Sequence, residues 1–371
     1  MAYTEETARN LVTESARKLL RTGLVARTWG NLSARISATQ FVITPSGMGY
    51  EHMRPEDLVT VNIEDCSYDG PRKPSSEKGI HAAVYSMRPE VNFVIHTHQE
   101  AASVYGITGR DLTHIDSERL GTEVPCAQYG MPSTKKLKNA VVDVLQGYPQ
   151  TKAVLMRYHG ALCMGTDEED AFLAARELER VCREQIGLLG NKNREQLPPA
   201  RDYGRSIRKD RRFCLQLNGE KKVYRLNRLP DDLPEEAAFH AEIYRHTNAK
   251  YILWDSSNAV RRVSRSGEDF SPYLEDLIQI AGTTIRCADG HDPAGAAKKL
   301  AGRNAVLIRG EGAFCTGRTR DDVGAVAALL EKGCRAALFA ENFPECRPLG
   351  RLDGLIQRTV YVNKYSRKKE R

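Results

Sequence analysis

Three histidines occupy positions in the sequence that suit a metal site. His96 and His98 are separated by one residue near the end of a β-forming run that starts at Asn92, and side chains two apart on a strand point to the same face. His159 follows a second strand pattern at 153–156. Three imidazoles at strand ends would leave one coordination position open, as in catalytic rather than structural sites. Because neutral imidazole suits Zn²⁺, with Mn²⁺, Co²⁺ or Fe²⁺ as substitutes, we expect one such ion per chain.

Short polar turns elsewhere in the sequence offer groups that could hold an anion. They are Gly30-Asn31, Pro45-Ser46-Gly47 and Pro74-Ser75-Ser76-Glu77. Backbone N–H groups and hydroxyls in such turns can bind phosphate oxygens without an arginine. Each also has a structural interpretation, because the first two are ordinary turn sequences and the third could cap a helix. Likewise, the histidine pair alone is compatible with two hydrogen-bonded structural residues, and Tyr129 with a packed aromatic.

Helices and strands alternate along the part of the chain that carries these residues. The periodicity predicts an amphipathic helix over about 4–21, closed by Gly23, and then a turn over 30–33. Further strands are predicted at 41–44, 58–61, 92–97 and 153–156, and helices at 78–86 and after Thr166. The alternation indicates an α/β protein without giving its strand order. His52, His81 and His114 are interpreted as structural or surface residues.

The composition is that of a globular protein without a membrane span. The 371 residues are 41% hydrophobic and 28% charged, and no apolar run reaches membrane-spanning length. The N-terminus lacks a secretory signal pattern. Nine scattered cysteines without a CxxC pair indicate reduced thiols and a cytoplasmic location. The net charge of +7 lies largely in 205–212 and 367–371, without interleaved aromatics, so no nucleic-acid or membrane partner is expected.

The sequence repeats itself after a basic, proline-containing stretch at about 191–232, which is the predicted domain boundary. Residues 236–244 echo 77–85, and residues 305–315 echo 153–163. We therefore predict a first domain over 1–192 and a degenerate second copy over 193–371. The second copy is predicted to be shortened at its front, where the sequence offers no counterpart of residues 30–31 or 44–47.

The predicted register removes the metal ligands from the second copy. It aligns His96 with Asp255, His98 with Ser257 and His159 with Glu311, while Glu236 takes the position of Glu77. Two carboxylates could bind a harder ion, but such ions need more oxygen ligands. A structural role is therefore favoured for the second copy.

Taken in order, the motifs of the first copy resemble the class II aldolase/adducin family. The resemblance covers roughly residues 5–190 and extends to the second copy only through fold-bearing segments. It implies a three-layer α/β/α fold around a central, mostly antiparallel sheet, here duplicated. It also implies a lyase that cleaves or forms a C–C bond in a small phosphorylated ketose, such as L-fuculose 1-phosphate.

The resemblance implies a role for each matching residue. His96, His98 and His159 would hold the zinc, Glu77 would be the general acid/base, and Tyr129 a proton donor that reaches a neighbouring subunit. The substrate phosphate would bind at Asn31, Ser46, Gly47, Ser75 and Ser76. Relatives form four-subunit rings, so a homo-oligomer is expected, either a dimer with pseudo-fourfold symmetry or a tetramer.

Other activities are compatible with the same motifs. A sugar-phosphate 4-epimerase also breaks and remakes a C–C bond, but such relatives tend to carry aspartate where Glu77 stands. A metal-dependent decarboxylase or dehydratase is also open. A non-catalytic, adducin-like protein is the alternative from another class, and the three histidines argue against it for the first copy.

Overall fold

The computed structural model describes residues 2–25, 29–189 and 197–366 of the chain. The chain divides into two compact units, Met1–Asn191 and Lys192–Arg371. The start of the predicted boundary, at 191–196, and the predicted solvated tail at 367–371 lie outside the described residues. Within the described ranges, no helix is both long and apolar enough to cross a membrane.

The first unit alternates helices and strands around one sheet. Its elements are α1 (Glu5–Arg21), β1 (Asn31–Arg35), β2 (Gln40–Ile43), a 3₁₀ turn (Pro55–Asp57), β3 (Val59–Asn62), α2 (Lys78–Met87), β4 (Phe93–Thr97), α3 (Glu100–Gly106), β5 (Leu112–Ser117), β6 (Gly121–Val124), β7 (Cys126–Ala127), α4 (Lys135–Gly147), β8 (Ala153–Met156), β9 (Gly160–Gly165) and α5 (Glu168–Leu189). The sheet order is β3-β2-β1-β4-β9-β8-β7, and β5 and β6 form a separate hairpin. Neighbouring strands are antiparallel except β7 and β8, which are parallel.

Helices cover both faces of this sheet, which confirms the predicted three-layer architecture. Helices α2 and α4 pack on one face, where their buried residues join those of the strands in one apolar core. Helices α1, α3 and α5 cover the other face. The predicted turn at 30–33 is wrong from residue 31 onward, because Asn31 to Arg35 form β1 between β2 and β4. Strand pairing on both sides outweighs the turn preference of the Gly-Asn pair.

The second unit repeats the sheet of the first. Its elements are β10 (Arg205–Lys209), β11 (Arg212–Leu217), β12 (Glu220–Arg225), α6 (Glu235–His246), β13 (Tyr251–Asp255), α7 (Asn258–Ser264), α8 (Glu275–Ala281), β14 (Arg286–Ala288), α9 (Pro293–Lys299), β15 (Ala305–Ile308), β16 (Gly312–Gly317), α10 (Arg320–Ala340), α11 (Arg351–Val360) and a π-helical turn (Tyr361–Ser366). The sheet order β12-β11-β10-β13-β16-β15-β14 matches that of the first unit strand for strand. The duplicated α/β fold is therefore confirmed.

The second copy keeps the strands at the front of the sheet. Strands β10, β11 and β12 take the places of β1, β2 and β3. Their sequences carry arginines and lysines at exposed positions and lack the Gly-Asn and Pro-Ser-Gly motifs. Among residues 197–204, which precede β10, no helix corresponds to α1.

The sheet register also corrects the predicted alignment of the second copy. His96 is the fourth residue of β4 and pairs with Leu162. Trp254 is the fourth residue of β13 and pairs with Phe314 at the equivalent place. The position of His96 is therefore taken by Trp254 and not by Asp255. The reason is that the segment from His240 to the strand is one residue shorter than the segment from His81 in the first unit.

Candidate metal centre

The three predicted ligands are positioned by the central strands of the first sheet. His96 lies on β4, which pairs with β1 on one side and β9 on the other. His98 follows the end of the same strand, and His159 lies in the turn between β8 and β9. That turn requires a glycine next, because a Cβ on Gly160 would lie 2.1 Å from the carbonyl oxygen of Thr97. The close approach brings His159 against the end of β4.

The imidazoles converge in a buried cluster. One ring nitrogen from each of His96, His98 and His159 lies within 4.8 Å of the others. The rings of His96 and His159 are stacked with centroids 4.8 Å apart, and His98 meets both edge-on at the same centroid distance. All three side chains are at most 5% exposed. Burial lowers the pKa of His96 well below its usual value, so it is held neutral, the form that binds metals.

Hydrogen bonding fixes which nitrogen of His96 faces the cluster. Its Nδ1 lies 2.9 Å from the carbonyl oxygen of Ala161, and a carbonyl can only accept. Nδ1 therefore carries the proton, and the lone pair of Nε2 points inward, 3.0 Å from Nε2 of His98. A backbone carbonyl on the outer nitrogen is a common way to orient a metal-binding imidazole. The donor set fits a divalent ion of the zinc type.

Glu77 lies beside the three histidines at the start of α2. Its Oε1 accepts from Nε2 of His159 at 2.9 Å, and its Oε2 lies 3.2 Å from Nε2 of His96. Burial raises the pKa of this carboxyl, but the adjacent histidines, of which His159 donates a hydrogen bond to Oε1, outweigh burial and lower the pKa well below the usual value. Glu77 is therefore a carboxylate placed where it can exchange a proton with a substrate bound next to the cluster.

Asn31 contacts Glu77 directly. Its Nδ2 donates to Oε2 of Glu77 at 3.0 Å, and its Oδ1 accepts from Nε2 of His81. Both ends of the amide are thus bound within the protein, in addition to any contact with substrate. His81 was interpreted as a structural or surface residue, yet it is fully buried and linked to the site through Asn31. Its spacing of four residues from Glu77 on α2 was the signal that could have found it.

The turns predicted to bind phosphate are brought side by side. The N–H of Ser46 donates to the carbonyl of Lys73 at 3.0 Å, and the N–H of Ser75 donates to the carbonyl of Thr44 at 2.9 Å. These two N–H groups are occupied, so Ser46 and Ser75 would contact an anion through their hydroxyls. The Ser75 hydroxyl also accepts from the N–H of Glu77 at 3.3 Å.

The remaining predicted phosphate residues are open to solvent. Gly47 and Ser76 are exposed, and Gly47 has a φ of 73°, which favours glycine.

Tyr129 follows β7, and its ring lies 5.8 Å from that of Tyr158 and 5.7 Å from the Lys136 ammonium. Tyr158 directly precedes His159, so Tyr129 is close in the fold to one ligand-bearing turn.

Aromatic rings fill the corresponding place in the second unit. The ring of Tyr203 lies 4.5 Å from that of Trp254 and 5.4 Å from that of Phe314. Glu311 takes the position that His159 has in the first unit, and it accepts a hydrogen bond from the Tyr203 hydroxyl at 2.6 Å. Arg201 bonds to Glu236 at 2.7 Å, so the carboxylate equivalent to Glu77 is neutralised. This site is a packed core with a surface ion pair.

Comparison with known proteins agrees with the duplicated fold. The family described as "Class II Aldolase and Adducin N-terminal domain" matches residues 10–186 and, a second time, residues 203–338. Together these segments cover well over half of the chain. The chain therefore belongs to the class II aldolase/adducin family and carries its domain twice.

Similar curated proteins are sugar-phosphate enzymes. The chain is 33% identical over 166 residues to 5-deoxy-D-ribulose 1-phosphate aldolase of Bacillus thuringiensis serovar kurstaki, covering 44% of this chain and 76% of the relative. It is 31% identical to L-ribulose-5-phosphate 4-epimerase UlaF of Salmonella paratyphi B, with 44% and 78% covered. It is 30% identical to L-fuculose phosphate aldolase of Haemophilus influenzae, with 48% and 82% covered.

Proposed function

We propose that residues 1–192 form a metal-dependent aldolase that cleaves or forms a C–C bond in a small phosphorylated ketose. The observation that carries this proposal is the convergence of three buried imidazoles, His96, His98 and His159, on one side of the Glu77 carboxylate. Relatives named as aldolases of ketose 1-phosphates support the substrate class, of which L-fuculose 1-phosphate is one member.

The proposed roles follow from the donor atoms. A Zn²⁺ or similar ion held by the three histidines would act as a Lewis acid and stabilise negative charge on the substrate oxygens. Glu77 would remove a proton from the bound substrate and return it, since its carboxylate is fixed beside that position before substrate binds. The hydroxyls of Ser46, Ser75 and Ser76 and the N–H of Gly47 would bind the phosphate. In the bond-forming direction, Tyr129 would donate a proton to the aldehyde oxygen as that oxygen becomes a hydroxyl, and in cleavage it would take the same proton back.

Metal analysis of the purified protein tests the proposal. Mass spectrometry should find about one zinc or related ion per chain, and the ion should be lost in His96→Ala. The wild type should then release an aldehyde and a phosphorylated fragment from ketose 1-phosphates, whereas the variant should not. A wild type that binds no metal after zinc is supplied would refute the aldolase proposal.

A 4-epimerase is the second candidate, supported by the similarity to L-ribulose-5-phosphate 4-epimerase. Both reactions break the same kind of bond, so metal content does not separate them. Product analysis does, because an aldolase releases two fragments and an epimerase returns one sugar phosphate of inverted configuration. We favour the aldolase because Glu77 is not aspartate.

For the second unit we propose a structural role. The place that corresponds to the metal cluster is filled by the rings of Trp254 and Tyr203. Glu236, the counterpart of Glu77, is paired with Arg201. Metal stoichiometry tests this role, since a second functional site would raise the metal content from about one ion per chain to about two.

A further inference from the structure

A chain of buried hydrogen bonds leads from Glu77 into the core of the first unit. Beyond the contact of Asn31 with Glu77, His81 Nδ1 lies 2.6 Å from the hydroxyl of Ser33. That hydroxyl lies 2.8 Å from the hydroxyl of Tyr85. All five side chains are buried, so water does not compete for these bonds and their geometry is set by the protein.

Donor and acceptor chemistry gives this chain one direction. A carboxylate such as Glu77 only accepts, so the nearby end of the Asn31 side chain is its NH₂ group and the far end is its carbonyl. The Asn31 carbonyl must then accept a hydrogen bond from the Nε2–H of His81. Burial lowers the pKa of His81 to about 3, so the ring is neutral and Nδ1 is left to accept from Ser33.

The second unit contains the same histidine, serine and tyrosine bonds without the candidate metal site. There, the donor and acceptor nitrogens of the histidine can be assigned independently. His240 Nδ1 lies 2.7 Å from the hydroxyl of Ser206, which lies 2.8 Å from the hydroxyl of Tyr244. His240 Nε2 lies 2.8 Å from the backbone carbonyl of Tyr203. Because a carbonyl cannot donate, Nε2 must carry the proton here as well.

The two units differ in what the histidine holds. In the second unit the histidine bonds to the backbone carbonyl of Tyr203, and Gly204 stands in the place of Asn31. In the first unit it holds a side-chain amide, and that amide holds Glu77. We propose that His81 is a positioning residue, which as the Nε2–H tautomer orients the Asn31 amide so that its NH₂ group faces Glu77. This inference rests on the proposed function only for its effect on turnover.

Without this bond, the Asn31 amide could rotate and turn its carbonyl toward the Glu77 carboxylate. Two acceptors would then face each other in a buried site, which is unfavourable. The carboxylate would lose one of the contacts that hold it beside the histidines, and a misplaced base lowers turnover more than substrate binding. The same loss at His240 would leave Glu77 unaffected.

Nitrogen NMR of wild-type protein tests the tautomer without any substrate. His81 and His240 should both show a protonated Nε2 and an unprotonated Nδ1 at pH 7, with signals assigned by their loss in His81→Asn and His240→Asn. A protonated Nδ1 at His81 would overturn the proposal. The tautomer is read on wild-type protein without turnover, so the result remains decisive if the protein proves not to be an aldolase. His81→Gln assigns the signal if His81→Asn does not fold.

Three variants test the effect on the site. His81→Asn keeps a polar group near Ser33 but cannot reach Asn31, and we expect kcat to fall about tenfold or more with KM and metal content little changed. His81→Gln places an amide N–H near the position of Nε2 and should recover much of the loss. His240→Asn removes the equivalent buried imidazole and should leave kcat unchanged. Equal kcat in His81→Asn and His240→Asn would refute a positioning role.

Discussion

Trp254 occupies in the second sheet the register position that His96 occupies in the first. Each is the fourth residue of its strand and pairs with the third residue of the neighbouring strand, Phe314 and Leu162 respectively. The indole N–H donates to the carbonyl of Arg201 at 2.9 Å, so its one polar atom is satisfied. The same backbone position thus supports a candidate metal ligand in one unit and a core residue in the other.

Trp254→Ala is expected to destabilise the second unit without affecting the metal site. The substitution removes ring contacts with Tyr203 and Phe314, and such losses cost about 3–5 kcal/mol. Urea unfolding should show the loss, with metal content unchanged. Tyr203→Phe is the milder comparison, since it deletes only the hydrogen bond to Glu311 and should cost about 1 kcal/mol. Loss of bound metal in Trp254→Ala would contradict the structural role.

Glu77→Gln should separate catalysis from metal binding. The amide keeps the size of the side chain but cannot take up a proton, so kcat should fall by about 10²–10⁴ while the ion is retained. Glu236→Gln is the matched control, because it alters the equivalent carboxyl in the second unit and should leave kcat unchanged. Steady-state kinetics with metal analysis would decide, and comparable activity of Glu77→Gln and wild type would exclude Glu77 as the base.

Ser46→Ala should weaken substrate binding through the phosphate. The hydroxyl is the side-chain donor that Ser46 can offer, since its N–H is bound to Lys73. We expect KM to rise several-fold with kcat little changed, and no effect on unphosphorylated analogues. Ser37→Ala, in the turn at the opposite end of β2, is the control. A fall in kcat alone would assign Ser46 a different role.

Stability should fall with acidification because two buried histidines are held neutral. Burial lowers the pKa of His81 to about 3 and that of His240 to about 4. Between these values and the ordinary pKa of about 6.5, the unfolded chain binds protons that the folded chain does not. Stability is thus fully present above about pH 6.5 and is lost as the pH falls toward 4.

His240→Asn should reduce this pH dependence by up to one proton. The slope of the unfolding free energy between pH 6.5 and 4.5 should decrease by up to about 1.4 kcal/mol per pH unit. Urea unfolding of chelator-treated wild type and variant at several pH values would measure both slopes. Identical slopes would show that His240 does not contribute to acid destabilisation.

Much of the site was predictable because its parts are local. The His96–His98 spacing on a strand, the strand pattern before His159, and the turns at 45–47 and 74–77 are visible within a few residues each. Their order along the chain indicated the family, and the echo of 153–163 at 305–315 revealed the duplication. The convergence of the three imidazoles was inferred from strand ends and is seen in the structure.

Tertiary structure alone decided the contacts between distant segments. Asn31 and Glu77 are 46 residues apart and meet only because β1 pairs with β4 beneath the start of α2. The spacing of His81 from Glu77 is visible in the sequence, but the bond of His81 to Asn31, 50 residues away, is made only in the folded chain. The place of Trp254 depended on strand register, and one residue fewer before β13 moves every aligned side chain by one position. Sequence periodicity determined which segments form strands and helices, whereas pairing of those segments determined which side chains meet.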